Sequence, residues 1–62
     1  MSAAPELSSV ATALGELTGR VGELAERLAR DARDDLATAL YEVERSMSAA
    51  ARRLESMVDE LR

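Results

Sequence analysis

The apolar residues of this chain form two ladders with heptad spacing, one on each side of Ala32. Within each ladder the steps alternate between three and four residues, which is the spacing of one face of an α-helix. The N-terminal ladder consists of Leu7, Val10, Leu14, Leu17, Val21, Leu24 and Leu28. The C-terminal ladder consists of Leu36, Leu40, Val43, Met47, Ala50, Leu54, Met57 and Leu61. The pattern predicts two amphipathic helices.

The two ladders mirror each other about Ala32. Leu28 corresponds to Leu36 and Leu7 corresponds to Met57, and the residue numbers of every such pair add to 64. Positions that mirror about a centre meet layer by layer when two helices run antiparallel. We therefore expect an antiparallel pairing, in which the ladder residues form the core of the packed and self-associated protein.

Charges near the centre favour a bend in the chain over a continuous helix. Arg27 and Arg30 precede the centre, where cations complement the negative end of a first helix. Asp31, Asp34 and Asp35 follow, with Asp31 at the predicted N-cap of a second helix and the other two acids in its first turn. We therefore favour a helical hairpin.

In the alternative, one long helix runs through Ala32 and pairs with a second copy in an antiparallel coiled-coil dimer. No Gly or Pro in the central segment forbids this arrangement.

The chain is expected to be a single all-α domain over residues 1–62. We predict its segments as follows: a lead-in over 1–5, helix one over 6–30, a bend over 31–35 and helix two over 35–61. A chain of 62 residues with one aromatic side chain builds only a thin core, and domains of this size usually need a further source of stability. We therefore expect the hairpin to dimerise into a four-helix bundle.

A row of small residues accompanies the first ladder on the predicted helix. It consists of Ala11, Gly15, Thr18, Gly22, Ala25 and Ala29. Each glycine inside a helix costs up to about 1 kcal/mol relative to alanine, so the row calls for a reason in packing. We expect it to lie at a close helix contact on the open side of the hairpin, where a second hairpin stacks.

Composition argues against several classes of function. The chain has eight Lys and Arg residues against twelve acids, a net charge of −4, and neither Cys nor His. Net negative charge disfavours binding to nucleic acid and to anionic membranes. Without thiolate or imidazole groups we expect no metal site, no cofactor and no enzymatic activity. No signal-like start and no membrane-spanning stretch is evident, so a cytoplasmic protein is expected.

These observations predict a non-enzymatic interaction or scaffold protein that acts through self-association of its apolar heptad face, as a homodimer or higher homo-oligomer. The alternative is a small acidic regulatory subunit or adaptor, antitoxin-like or anti-factor-like, that binds a helix or basic groove of another protein. Tyr41, Glu44 and Ser48 would then form the rim of the partner contact. Heptads of Ala and Leu are too widely shared to indicate a family.

Overall fold

The computed structural model describes residues 3–62, which form two helices joined by a short turn. Helix α1 spans Ala4–Arg30, and helix α2 spans Asp34–Leu61. The two helices pack side by side, and the Cα trace extends 50 Å along its longest axis. A single helix of the same chain would be about 85 Å long at 1.5 Å per residue. The predicted hairpin is therefore confirmed, and the continuous helix is wrong.

The helix boundaries lie close to those expected from the sequence. Helix α1 begins at Ala4, two residues earlier than predicted, with Pro5 and the acidic Glu6 in its first turn. Proline suits this place because the first amides of a helix have no intrahelical acceptor. Residues 1 and 2 of the expected lead-in lie outside the described residues. The turn occupies residues 31–33 and is shorter than the predicted bend.

A Schellman motif closes helix α1. The amide of Arg33 donates to the carbonyl of Leu28 (2.9 Å), and the amide of Ala32 donates to the carbonyl of Ala29 (3.2 Å). This pair of bonds satisfies carbonyls that the helix end would otherwise leave unpaired. The motif requires a left-handed residue, and Ala32 takes that conformation with φ of 59°. Glycine usually fills this place, because a Cβ is crowded there.

The turn assigns Asp31 a role different from the predicted one. Asp31 is the C-cap of α1, and Arg33 is the N-cap of α2, with no side-chain hydrogen bond to the helix. The prediction of Asp31 as N-cap is therefore wrong, because the Schellman bonds keep the chain attached to α1 until Arg33. Asp34 and Asp35 do lie in the first turn of α2, where their charge complements the helix dipole.

Substituting Ala32→Gly should raise the free energy of unfolding by about 1 kcal/mol, because glycine takes a positive φ without the Cβ penalty. Chemical denaturation followed by circular dichroism measures the change. Ala13→Gly is the matched control, since Ala13 is exposed inside α1 and the same replacement there should destabilise by about 1 kcal/mol. Loss of stability in both variants would contradict the role assigned to Ala32.

Candidate self-association surface

The contact between α1 and α2 is formed by small side chains. The residues buried in it are Ala11, Gly22 and Ala25 of α1 and Ala37 and Val58 of α2. Ala25 is completely buried, and no larger side chain is. Small residues let two helices approach each other closely. We call this contact between α1 and α2 the seam.

The orientation of the helices differs from the sequence-based expectation. The sequence suggested that the large ladder residues would fill the seam and that the small row would remain on the open side. In the structure Ala11, Gly22 and Ala25 of the small row are buried against α2, and the ladders lie beside the seam. Sequence reasoning overlooked Ala37 and Val58 as core residues. Their spacing from Ala51 by multiples of seven, a heptad position that also contains Glu44, was the signal that this row of α2 could face α1.

Every ladder residue retains solvent exposure. Leu17 and Leu24 are 48% and 47% exposed, and Val10 is 53% exposed. The other exposed members are Leu36, Val43, Ala50, Met57 and Leu61. The half-buried members are Leu7, Leu14, Val21, Leu28, Leu40, Met47 and Leu54. The hairpin therefore presents its largest apolar side chains to solvent.

Both ladders lie on the same flank of the hairpin. Around each helix the half-buried ladder residues lie next to the seam, and the exposed ones lie one step further out. On each helix, the exposed ladder residues are reached from the seam by a rotation in the same sense about the helix axis, viewed from its N-terminus. Because the two helices are antiparallel and face each other, this rotation points both ladders to the same flank of the hairpin. The two ladders therefore form one continuous apolar surface, which we call the ladder face.

The opposite flank of the hairpin is polar. Near the open end, Ser8 and Thr12 of α1 and Glu55 and Asp59 of α2 line a shallow depression. The buried Ala11 and Val58 line the same depression. Polar residues from both helices thus meet on this side of the seam, which places the apolar surface on the other.

The small row of α1 divides between the seam and the surface. Gly22 is buried, and a Cβ built on it would overlap the Glu44 carboxylate and lie 3.1 Å from its Cδ. Thr18 is half-buried, and its hydroxyl donates to the carbonyl of Leu14 (2.7 Å), within its own helix. Gly15 and Ala29 are exposed, and a Cβ at Gly15 would meet nothing within 4 Å. Of Gly15 and Gly22, only Gly22 has the close contact expected from the sequence.

The residues predicted as a partner rim lie together on α2. Tyr41 is 38% exposed, and Glu44 and Ser48 are half-buried. With Arg45 and Arg52 they line a shallow depression away from the ladder face. This arrangement brings the three predicted residues together and leaves their role as a prediction.

Charges contribute little to the contact between the helices. Within residues 3–62 the ion pairs are local: Arg33 with Asp35 at 3.5 Å, and Asp59 with Arg62 at 3.9 Å. All four side chains are well exposed, and such pairs contribute little to stability. No ladder position holds a charged residue. Apolar burial is therefore the main interaction available to either surface.

The described part of the chain lacks two further features. It contains no group of three or more acidic side chains placed to hold a metal ion. Neither helix contains a stretch long and apolar enough to cross a membrane.

Comparison with protein-family models, with curated proteins and with solved structures finds nothing that matches this chain.

Substituting Gly22→Leu should lower the free energy of unfolding by about 1–3 kcal/mol, because the new side chain must displace the Glu44 carboxylate and overfill a buried position between α1 and α2. Gly19→Leu is the control, since a Cβ at Gly19 meets nothing within 4 Å and leucine is the better helix former by up to about 1 kcal/mol. Thermal and chemical denaturation at one protein concentration measure both variants. Equal stabilisation by the two substitutions would show that Gly22 is not at a close contact.

Proposed function

We propose that this protein is a non-enzymatic helical interaction module whose ladder face binds a second copy of the chain to form a four-helix bundle. The observation that supports the proposal most directly is the exposure of the ladder residues on one flank of a hairpin whose buried core is made of small side chains. An apolar surface of this extent is typical of an interaction site.

The area of the hairpin supports a partner of similar size. Its accessible surface is 4714 Å², against about 3,900 Å² for a compact monomer of this mass. The excess, several hundred Å², is of the order that each partner buries in a standard interface, about 800 Å². A face 50 Å long reaches that area if it is about 16 Å wide, which is close to the width of two neighbouring helices.

The chemistry of the ladder face fits a second copy. The face is apolar from Leu7 to Leu28 on α1 and from Leu36 to Leu61 on α2. A copy of the same chain offers a surface of equal length and equal apolar character, so two faces can cover each other completely. Two-fold pairing of identical patches is the commonest form of homo-oligomer, and four helices around a shared apolar core form a stable architecture.

The alternative function is that of an acidic adaptor that uses its helices to bind another protein. The depression around Tyr41, lined by Arg45 and Arg52, lies away from the ladder face and would remain accessible in the bundle. A regulator of this kind need not be fully folded before its partner binds. The state of the isolated chain therefore distinguishes the two functions.

We expect the purified protein to be a dimer of twice its 6.7 kDa chain mass, with a melting temperature that rises with protein concentration. Leu24→Glu should convert it to a monomer of lower stability, because each copy loses about 1 kcal/mol of leucine burial and would bury a charge. Sedimentation equilibrium and thermal melts at several concentrations measure both effects.

Tyr41→Glu is the matched control, since it introduces the same charge at an exposed apolar residue outside the ladder face. It should leave the dimer intact. A wild-type protein that is monomeric and cooperatively folded at all concentrations would refute self-association. A monomer with partial helicity and no cooperative melt would favour the adaptor.

A further inference from the structure

We propose, building on the self-association described above, that the two hairpins pair head to tail, with their turns at opposite ends of the bundle. Two arrangements bring one ladder face onto another with antiparallel neighbouring helices. In the head-to-tail arrangement α1 packs on α1 of the second copy. In the same-end arrangement α1 packs on α2 of the second copy.

The apolar positions are compatible with the head-to-tail arrangement. The ladder of α1 is nearly symmetric about Leu17, so Val10 would lie opposite Leu24 of the second copy. The ladder of α2 is nearly symmetric about Met47. Leu17 and Met47 lie at the same level of the hairpin, because their numbers add to 64 about the turn at Ala32. A single two-fold axis at this level can therefore relate α1 to α1 and α2 to α2 of the second copy.

Charges at the edge of the ladder face distinguish the arrangements. The outer edge of each helix consists of the residues that directly precede every second ladder residue, counted from Leu7 on α1 and from Leu40 on α2. On α1 these are Glu6, Ala13, Arg20 and Arg27. On α2 they are Ala39, Ser46, Arg53 and Glu60. In a bundle each edge lies beside an edge of the second copy, where charge pairs set orientation.

The head-to-tail arrangement makes complementary pairs at this edge. Glu6 would lie beside Arg27 of the second copy, and the two-fold axis repeats the pair. Both side chains are exposed, and neither forms an ion pair among the described residues. Within one chain they are separated by about 30 Å of helix, so only a second copy can bring them together. Along α2, Arg53 would face Ala39, Ser46 would face Ser46 of the second copy, and Glu60 would lie near the turn at Ala32 of the second copy.

The same-end arrangement makes an unfavourable pair. The levels of the hairpin then place Glu6 beside Glu60 of the second copy, and the two-fold axis repeats this contact of like charges. Arg27 would face Ala39 and gain no partner. Since both arrangements cover the same apolar surface, the edge charges favour the head-to-tail bundle.

Distance measurement between the two turns tests the orientation. The chain has no cysteine, so Asp31→Cys, at an exposed turn residue, allows one nitroxide label on each copy. Dipolar spectroscopy should give about 40–50 Å for head-to-tail pairing, from about 14 residues of helix on each side of the axis. Same-end pairing would give about 10–20 Å, from neighbouring helix axes 8–10 Å apart. Arg62→Cys, at the open end, provides a second label in case the turn is disturbed.

The mass of the labelled protein separates the possible outcomes. A dimer with the long distance supports the orientation. A dimer with the short distance overturns the orientation and leaves self-association standing. A monomer with no intermolecular distance overturns both.

Reversing the charge of Glu6 gives an independent test, because the two arrangements predict changes of opposite sign in the Kd of the dimer. Glu6→Arg should weaken head-to-tail dimerisation about tenfold in Kd, since two exposed pairs are each lost and replaced by repulsion. The combination of Glu6→Arg with Arg27→Glu should restore most of that loss. In the same-end arrangement Glu6→Arg would meet Glu60, and the dimer would become tighter. Sedimentation equilibrium measures each Kd, and a tighter Glu6→Arg dimer rejects the proposed orientation.

Discussion

The close contact between the two rows of small residues determines how the rest of the molecule is arranged. Ala25 and Ala37 are buried where the helices meet, and Gly22 allows the Glu44 side chain to lie against its backbone. Because the seam uses the small side chains, the large ones are turned to one flank. The same contact that closes the hairpin therefore creates the apolar surface by which we propose that it self-associates.

The turn makes this contact possible at a cost in backbone conformation. Three residues reverse the chain, and the Schellman bonds from Ala32 and Arg33 satisfy the end of α1. A left-handed alanine costs about 1–2 kcal/mol relative to glycine. Such a cost is tolerated only if packing elsewhere compensates for it. The seam, whose buried residues are mostly small, offers limited compensation, and the proposed bundle would supply more.

The hairpin and the proposed bundle use different parts of the same heptad repeat. Residues next to one another around the helix would serve two contacts in this proposal: the small row for the neighbour within the chain, and the ladder for the second copy. The half-buried residues, such as Leu14 and Leu40, lie between the two. A core shared in this way would link folding to association, because the side chains that complete the proposed bundle would also shield the seam.

The sequence by itself determined the two helices, their antiparallel pairing and the level at which each residue lies. These follow from the spacing of apolar positions and from the mirror about Ala32. It did not determine which row of each helix faces the other. The ladder and the small row lie next to each other around the helix, so the periodicity of the sequence is compatible with either row facing the other helix. Only tertiary packing decided, because the contact depends on the side chains that meet from both helices, and those buried on α2 are Ala37 and Val58.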